Sequence, residues 1–402
     1  MKWPTTRLGD VCNVIPGFAF KSADFSSVGI PVVKIKNITG DLTVNLQDVD
    51  YLPEKLMSSR LNRYVLRNGD VLVAMTGATA GKIGKVRAEC PLLLNQRVAK
   101  IEAVRAESGF IWAVLSSREY QEKMYNLAYG SAQPNMSGRQ IEDMEIPLPS
   151  LVVQRCISDI ICSLDDKIEL NRRMNETLEQ MAMALYKHWF VDFGPFQDGE
   201  FVESELGLIP KGWEVSTVGR VSENFDSRRV PMSSRERAKR HGEFPYYGAA
   251  DVVDYVDDYL FDGVYLLVGE DGSVTKPNGK PYLQYVEGKI WVNNHAHVLQ
   301  GRGLVSTEWL RVYFETLDIS RYVTGAVQPK LTKGNLNSLK FLLPTEDHGL
   351  AFKESIAPLF DLVRSNVREN ALLIQTRDYL LPRLLSGEID LPEAEEKVKE
   401  VM

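Results

Sequence analysis

The chain has 402 residues, 44% hydrophobic, 25% charged and 9% aromatic, with a formal net charge of −7. This is an ordinary globular composition, which excludes disordered, collagen-like and wholly membrane-embedded chains. The acidic balance excludes a uniformly basic nucleic-acid coat, though not a local basic face.

In chain order, the polar stretch 1–10 has no apolar segment of the secretory kind, so a cytoplasmic location is expected. Apolar runs such as 91–94 fall far short of the roughly 20 residues that cross a bilayer, so no membrane association is expected. Positions 30–35 and 70–75 are β-rich and bounded by turn formers, which predicts strands; 110–125 predicts helix. Cys12, Cys90, Cys156 and Cys162 lack paired or metal-ligand spacing and read as free thiols. A first globular part covers 1–150, a long helical segment 151–193, and a linker rich in turn formers 194–212. A second globular part covers 213–345, with strands predicted at 263–268 and 289–292 and a helix at 307–314. A second helical segment (346–388) and a polar tail (389–402) follow.

The chain repeats itself. Gly130-Ser-Ala-Gln133-Pro134 returns as Gly325-Ala-Val-Gln328-Pro329, an offset of 195 residues that persists without a gap through both helical segments. Trp3 and Leu8-Gly9 parallel Trp213 and Val218-Gly219, and Asn95-Gln96 parallels Asn293-Asn294. In each helical segment apolar residues recur in alternating steps of four and three, from Ile157 through Ile161, Leu164 and Ile168 to Leu185 and Trp189, and again from Phe352. That is a coiled-coil seam. Asn171 and Asn175 interrupt one seam, Asn366 and Asn370 the other, at the same place. Antiparallel packing would set Asn171 opposite Asn370 and Asn175 opposite Asn366, fixing register. The predicted fold is therefore α+β: two similar mixed α/β domains joined by two long antiparallel coiled-coil helices with pseudo-two-fold symmetry.

No catalytic constellation is complete. The run Thr76-Gly77-Ala-Thr-Ala-Gly81-Lys82 has one residue too few between its glycines for a phosphate-binding loop, and Ile83 replaces the hydroxyl that would reach magnesium. Asp271 with Glu287 and Lys289 loosely matches a metal-dependent nuclease triple. His295 and His297 alternate on an expected strand, but two ligands do not hold zinc, so no metal and no cofactor is expected on this chain. Basic and amide side chains instead cluster at corresponding places in both halves, the vocabulary of phosphate contact and base-edge readout. The candidate DNA-binding residues are Lys34, Lys36, Thr76, Lys82, Lys85, Arg97, Gln133, Asn135 and Arg139 in the first half. In the second they are Arg228, Arg229, Arg235, Arg237, Asn293, Asn294, His295, His297, Gln328, Lys330 and Lys333. A dimeric adaptor whose globular parts bind protein is a further alternative.

The segment from Leu164 to Phe193, with Gly207-Leu-Ile-Pro-Lys-Gly-Trp213 and Val292-Asn-Asn-His-Ala-His297, resembles the DNA-specificity (S) subunits of type I restriction-modification systems over nearly the whole chain. The resemblance implies two target-recognition domains, each reading half of a split asymmetric site in double-stranded DNA, with no catalysis of the chain's own. It further implies two methyltransferase (M) subunits docked on the helices and carrying S-adenosylmethionine, and restriction (R) subunits carrying ATP and magnesium.

Overall fold

The structure is a computed structural model and describes residues 3–129, 134–325 and 327–402. It divides into one unit of residues 1–170 and 369–402 and another of 171–368. Two long helices, Leu151–Phe190 and Glu346–Ser386, each give one half to either unit.

In the first unit, a five-stranded sheet runs in the order Cys12–Pro16, Val98–Ala103, Val71–Ala74, Ile83–Lys85, Leu42–Thr43. A four-stranded sheet orders Asp50–Leu52, Ile30–Val33, Leu92–Leu94 and Val65–Leu66. Thr5–Arg7 pairs with Glu145–Pro147. The helix expected over 110–125 is two helices, Ser108–Ser116 and Arg118–Tyr129, broken at Ser117, whose extended backbone (ψ 147°) ends the first. In the second unit a six-stranded sheet runs Ser222–Asn224, Ala296–Gly301, Phe261–Gly269, Leu283–Val292, His241–Tyr247, Val252–Val256. The ten-residue strand Leu283–Val292 joins what the first unit keeps as two sheets: there 83–85 and 92–94 are separate strands, and Pro91, which has no N–H to donate, precedes the second.

The pairing registers repeat. Thr5 opposite Pro147 recurs as Val215 opposite Leu342, Cys12 opposite Ala103 as Ser222 opposite Gly301, and Val98 opposite Ala74 as Ala296 opposite Gly269. The same backbone is thus built twice from dissimilar sequences.

Within each unit the two helix halves run antiparallel. In the first, Asp165 pairs with Arg377 at 3.0 Å, Lys167 with Glu369 at 3.2 Å, and Asn370 Nδ2 donates to the Ile168 carbonyl at 3.3 Å. In the second, Asn366 Nδ2 donates to Asn175 Oδ1 at 2.8 Å, and Phe190 meets Phe352 edge-to-face at 4.8 Å. Each half also packs on its own globular part. Ile157, Ile161 and Leu164 enter the core of Trp112 and Phe110, while Ala182, Tyr186 and Phe190 enter that of Trp309 and Phe341.

Two expectations need correction. The linker 194–212 contains a β-hairpin, Phe201–Ser204 with Gly207–Pro210, whose turn is closed by Gly207 at φ +91°. The polar tail contains the helix Leu391–Lys399, because Ala394 and Val398, one turn apart, are buried in the first unit's core.

Candidate nucleic-acid interface

In the second unit the tight connection Asn293-Asn294-His295 joins two central strands. Asn293 is buried, and its Oδ1 accepts the His295 backbone N–H at 2.8 Å, an Asx turn that fixes the loop. Asn293, Asn294 and His295 line a cleft of about 570 Å³ together with Asp271, Gln328 and Arg237. His295 Nδ1 is bonded to the Asp271 carboxylate at the mouth. Arg237 is held by Asp254 at 2.9 Å and the Met232 carbonyl at 2.9 Å, over the Tyr246 ring. Its guanidinium holds the Asp254 carboxyl below the usual range.

Beneath the cleft lies a closed polar network. His297 is fully buried, bonded through Nδ1 to Asp226 at 2.6 Å and through Nε2 to the Leu331 carbonyl at 2.8 Å. Arg229 bonds Glu270 and the Ala296 carbonyl, each at 2.6 Å. Burial pushes the Asp226 carboxyl up, but the His297 bond, the Val298 N–H and the Arg229 charge outweigh it and leave it below the usual range. Asp226, Glu270 and His297 lie close enough to converge on a cation. Arg229 already supplies the balancing charge, so the residues do not fit a metal. His297 and Arg229 therefore serve the fold and present nothing to a ligand.

The remaining basic candidates of this unit lie nearer solvent. Arg228 is exposed, donating to the Leu260 carbonyl at 2.7 Å over the Phe261 ring. Arg235 and Lys333 are exposed without a side-chain partner among the described residues. Lys330 is exposed and 3.2 Å from Glu270; Gln328 is exposed.

The first unit repeats the frame with other side chains. Arg97 is exposed at φ +70°, and Asn135 is exposed in a β-bridge with half-buried Thr76. Lys82 donates to the Thr39 carbonyl at 2.9 Å at the edge of a cleft it shares with Arg118 and Tyr125. Lys34 and Lys36 are paired with Asp50 and Asp48, each at 2.8 Å. Lys85 is buried, 3.7 Å from Cys162 and over Trp112, so it faces the core. Arg139 is exposed, 3.9 Å from Asp143. Gln133 lies outside the described residues.

The nuclease triple does not come together. Asp271 holds His295, Glu287 holds Arg368 at 2.7 Å, and Lys289 lies over the Tyr259 ring. Sequence reasoning named Asp271 for the nuclease triple and missed it as a cleft residue, because ties to the distant segments of His295 and Lys330 bring it there. No helix among the described residues is long and apolar enough to cross a membrane.

The family described as "Type I restriction modification DNA specificity domain" matches residues 1–180 and 210–357. The type I restriction enzyme MjaIX specificity subunit of Methanocaldococcus jannaschii is 27% identical over 328 residues, 76% of this chain and 75% of that protein. The putative MjaX specificity subunit of the same organism is 23% identical, over 96% of this chain and 93% of that one. The crystal structure of the S subunit from M. genitalium aligns with a TM-score of 0.53 at 15% identity, covering 96% of each chain, a likeness of fold.

Proposed function

The chain belongs to the type I restriction-modification specificity-subunit family, and we propose that its two globular parts each read one half of a split, asymmetric site in double-stranded DNA. The long helices set the distance between the half-sites and dock two methyltransferase subunits. Methyl transfer from S-adenosylmethionine belongs to those partners, and ATP and magnesium to restriction subunits; this chain performs no catalysis.

The observation that carries this reading is the doubled backbone frame with unlike side chains at its loops. Two identical readers would call for a symmetric site; two with the same frame and different loops call for two different half-sites. Helices of 40 and 41 residues, about 60 Å at 1.5 Å per residue, have the length of a spacer rather than of a core element. Readers one turn of B-DNA apart, about 34 Å, engage the same groove face with a gap between. Exposed cations such as Arg235 and Lys333 supply phosphate contacts that position the chain.

Methylome sequencing of cells with and without the chain tests this. A two-part adenine-methylated motif is expected only where the chain is present. An unchanged methylome, or a motif without a gap, rejects the assignment.

A further inference from the structure

We propose that base discrimination rests on three equivalent positions held by one shared backbone frame: Thr76, Arg97 and Asn135 in the first unit, Asp271, His295 and Lys330 in the second. The proposal builds on the two-reader assignment above.

The frame is the same bond for bond. The Met75 N–H donates to the Arg97 carbonyl at 2.8 Å, as the Glu270 N–H does to that of His295 at 2.8 Å. The Gly77 N–H donates to the Pro134 carbonyl at 3.0 Å, and the Gly272 N–H to that of Pro329 at 3.2 Å. The Met136 N–H donates to the Met75 carbonyl at 2.9 Å, and the Leu331 N–H to that of Glu270 at 2.8 Å. Gly77 and Gly272 take φ +74° and +72°, which closes both loops alike. Thr76 bridges Asn135 just as Asp271 bridges Lys330. Three separate chain segments are thus tied together in each unit, and the side chains between the ties are set on a fixed base.

What projects differs in chemistry. Arg97 and Asn135 are exposed and have no side-chain partner among the described residues. Arginine matches the two acceptors of guanine and asparagine the donor–acceptor pair of adenine in the major groove. Arg97 is one of three non-glycine residues at positive φ among the described residues, a conformation retained where its surroundings enforce it. In the second unit the corresponding set carries a carboxylate, Asp271, bonded to His295, and an ammonium, Lys330, beside Glu270. The Asp271 side chain is 12% exposed and holds the exposed His295 ring through Nδ1, so it positions that imidazole rather than reaching a base itself. Position for position, an imidazole thus stands where the first unit has a guanidinium, and an ammonium where it has an amide. Lys85, Arg229 and His297 are spent on the interior and take no part.

The test uses the full chain purified with its partner subunits and a randomised double-stranded oligonucleotide library, sequenced after selection. Wild type should yield a two-part motif. Arg97→Asn, which suits positive φ, should lower the preference at one or two positions of one half by about 5- to 100-fold and leave the other half intact. Arg97→Lys keeps the charge without the planar fork and should shift the same positions. Asp271→Asn should alter only the opposite half. Changes in both halves from one substitution, or unchanged motifs in variants that melt like wild type, overturn the proposal. A wild-type complex that selects no two-part motif overturns the two-reader assignment, and the proposal with it.

Discussion

Two polar clusters show how single residues are committed. Asp226 receives His297, the Val298 N–H and Arg229, and these outweigh the effect of burial, so its pKa is lowered on folding. A carboxyl lowered on folding contributes stability above its unfolded pKa, about 3.9, and that contribution disappears as pH falls through the folded value. Asp226→Asn should therefore melt lower than wild type at neutral pH, with the gap closing in acid below about pH 4. Thermal melts across that range check this; a gap that stays constant with pH would refute it. His297 also shows where periodicity misleads. Residues 295 and 297 were expected to share a strand face, but the strand begins at Ala296, so His295 belongs to the turn and faces out while His297 points into the core. Asn175 and Asn366 are the second cluster. Asn366→Leu removes the donor to Asn175 Oδ1 and should cost about 1–3 kcal/mol. The double change to leucine should recover part of that, since an apolar pair leaves no amide unmet. Urea unfolding of the four proteins of the cycle measures the coupling, and additive losses would show there is none.

At the scale of elements, the long helices were legible because a 3.5-residue apolar period needs nothing but the sequence. What the period hid is a second buried face. Tyr186 and Phe190, off the expected seam, are deeply buried against the second unit's core, whereas Leu185 and Trp189 on that seam are only partly so. A helix that packs on a partner helix and a domain together carries two overlapping stripes, and a single-period reading selects one. The hairpin in the linker and the helix in the tail were missed for a related reason: each is short, largely exposed, and marked by only three or four apolar residues. Polar contacts between the helix halves were equally invisible. Asp165 is buried between Arg377, at 3.0 Å, and the Trp112 indole N–H, at 2.6 Å. Arg377→Ala strips the balancing charge from a buried carboxylate and should cost about 3 kcal/mol. A loss below about 1 kcal/mol in urea unfolding, the range of exposed pairs, would mean the site is effectively solvated.

For the molecule as a whole, the question is how a chain of net charge −7 holds a polyanion. The sequence shows cations in the loop segments of both halves. Sequence could not say which are neutralised, because their acids come from other segments. Lys34 and Lys36 meet Asp50 and Asp48, Arg237 meets Asp254, and Arg240 meets Asp257. Arg235, Lys239 and Lys333 remain exposed. The expectation that Arg228 and Arg229 together carry phosphate contact therefore changes, because Arg229 is locked to Glu270 and Asp226. Each cation that displaces a counterion from DNA contributes about 0.9 to the slope of log affinity against log salt. Replacing Arg235, Lys239 and Lys333 with alanine should weaken binding to all sequences alike and flatten that slope by up to about 3. Arg229→Ala should lower the melting temperature and leave the slope of the folded fraction unchanged. Titrations of the full complex with DNA at several salt concentrations separate the two effects. A flattened slope from Arg229→Ala with unaltered melting would return that residue to the DNA face, and a wild-type slope in the triple variant would place the phosphate contacts elsewhere on the assembly.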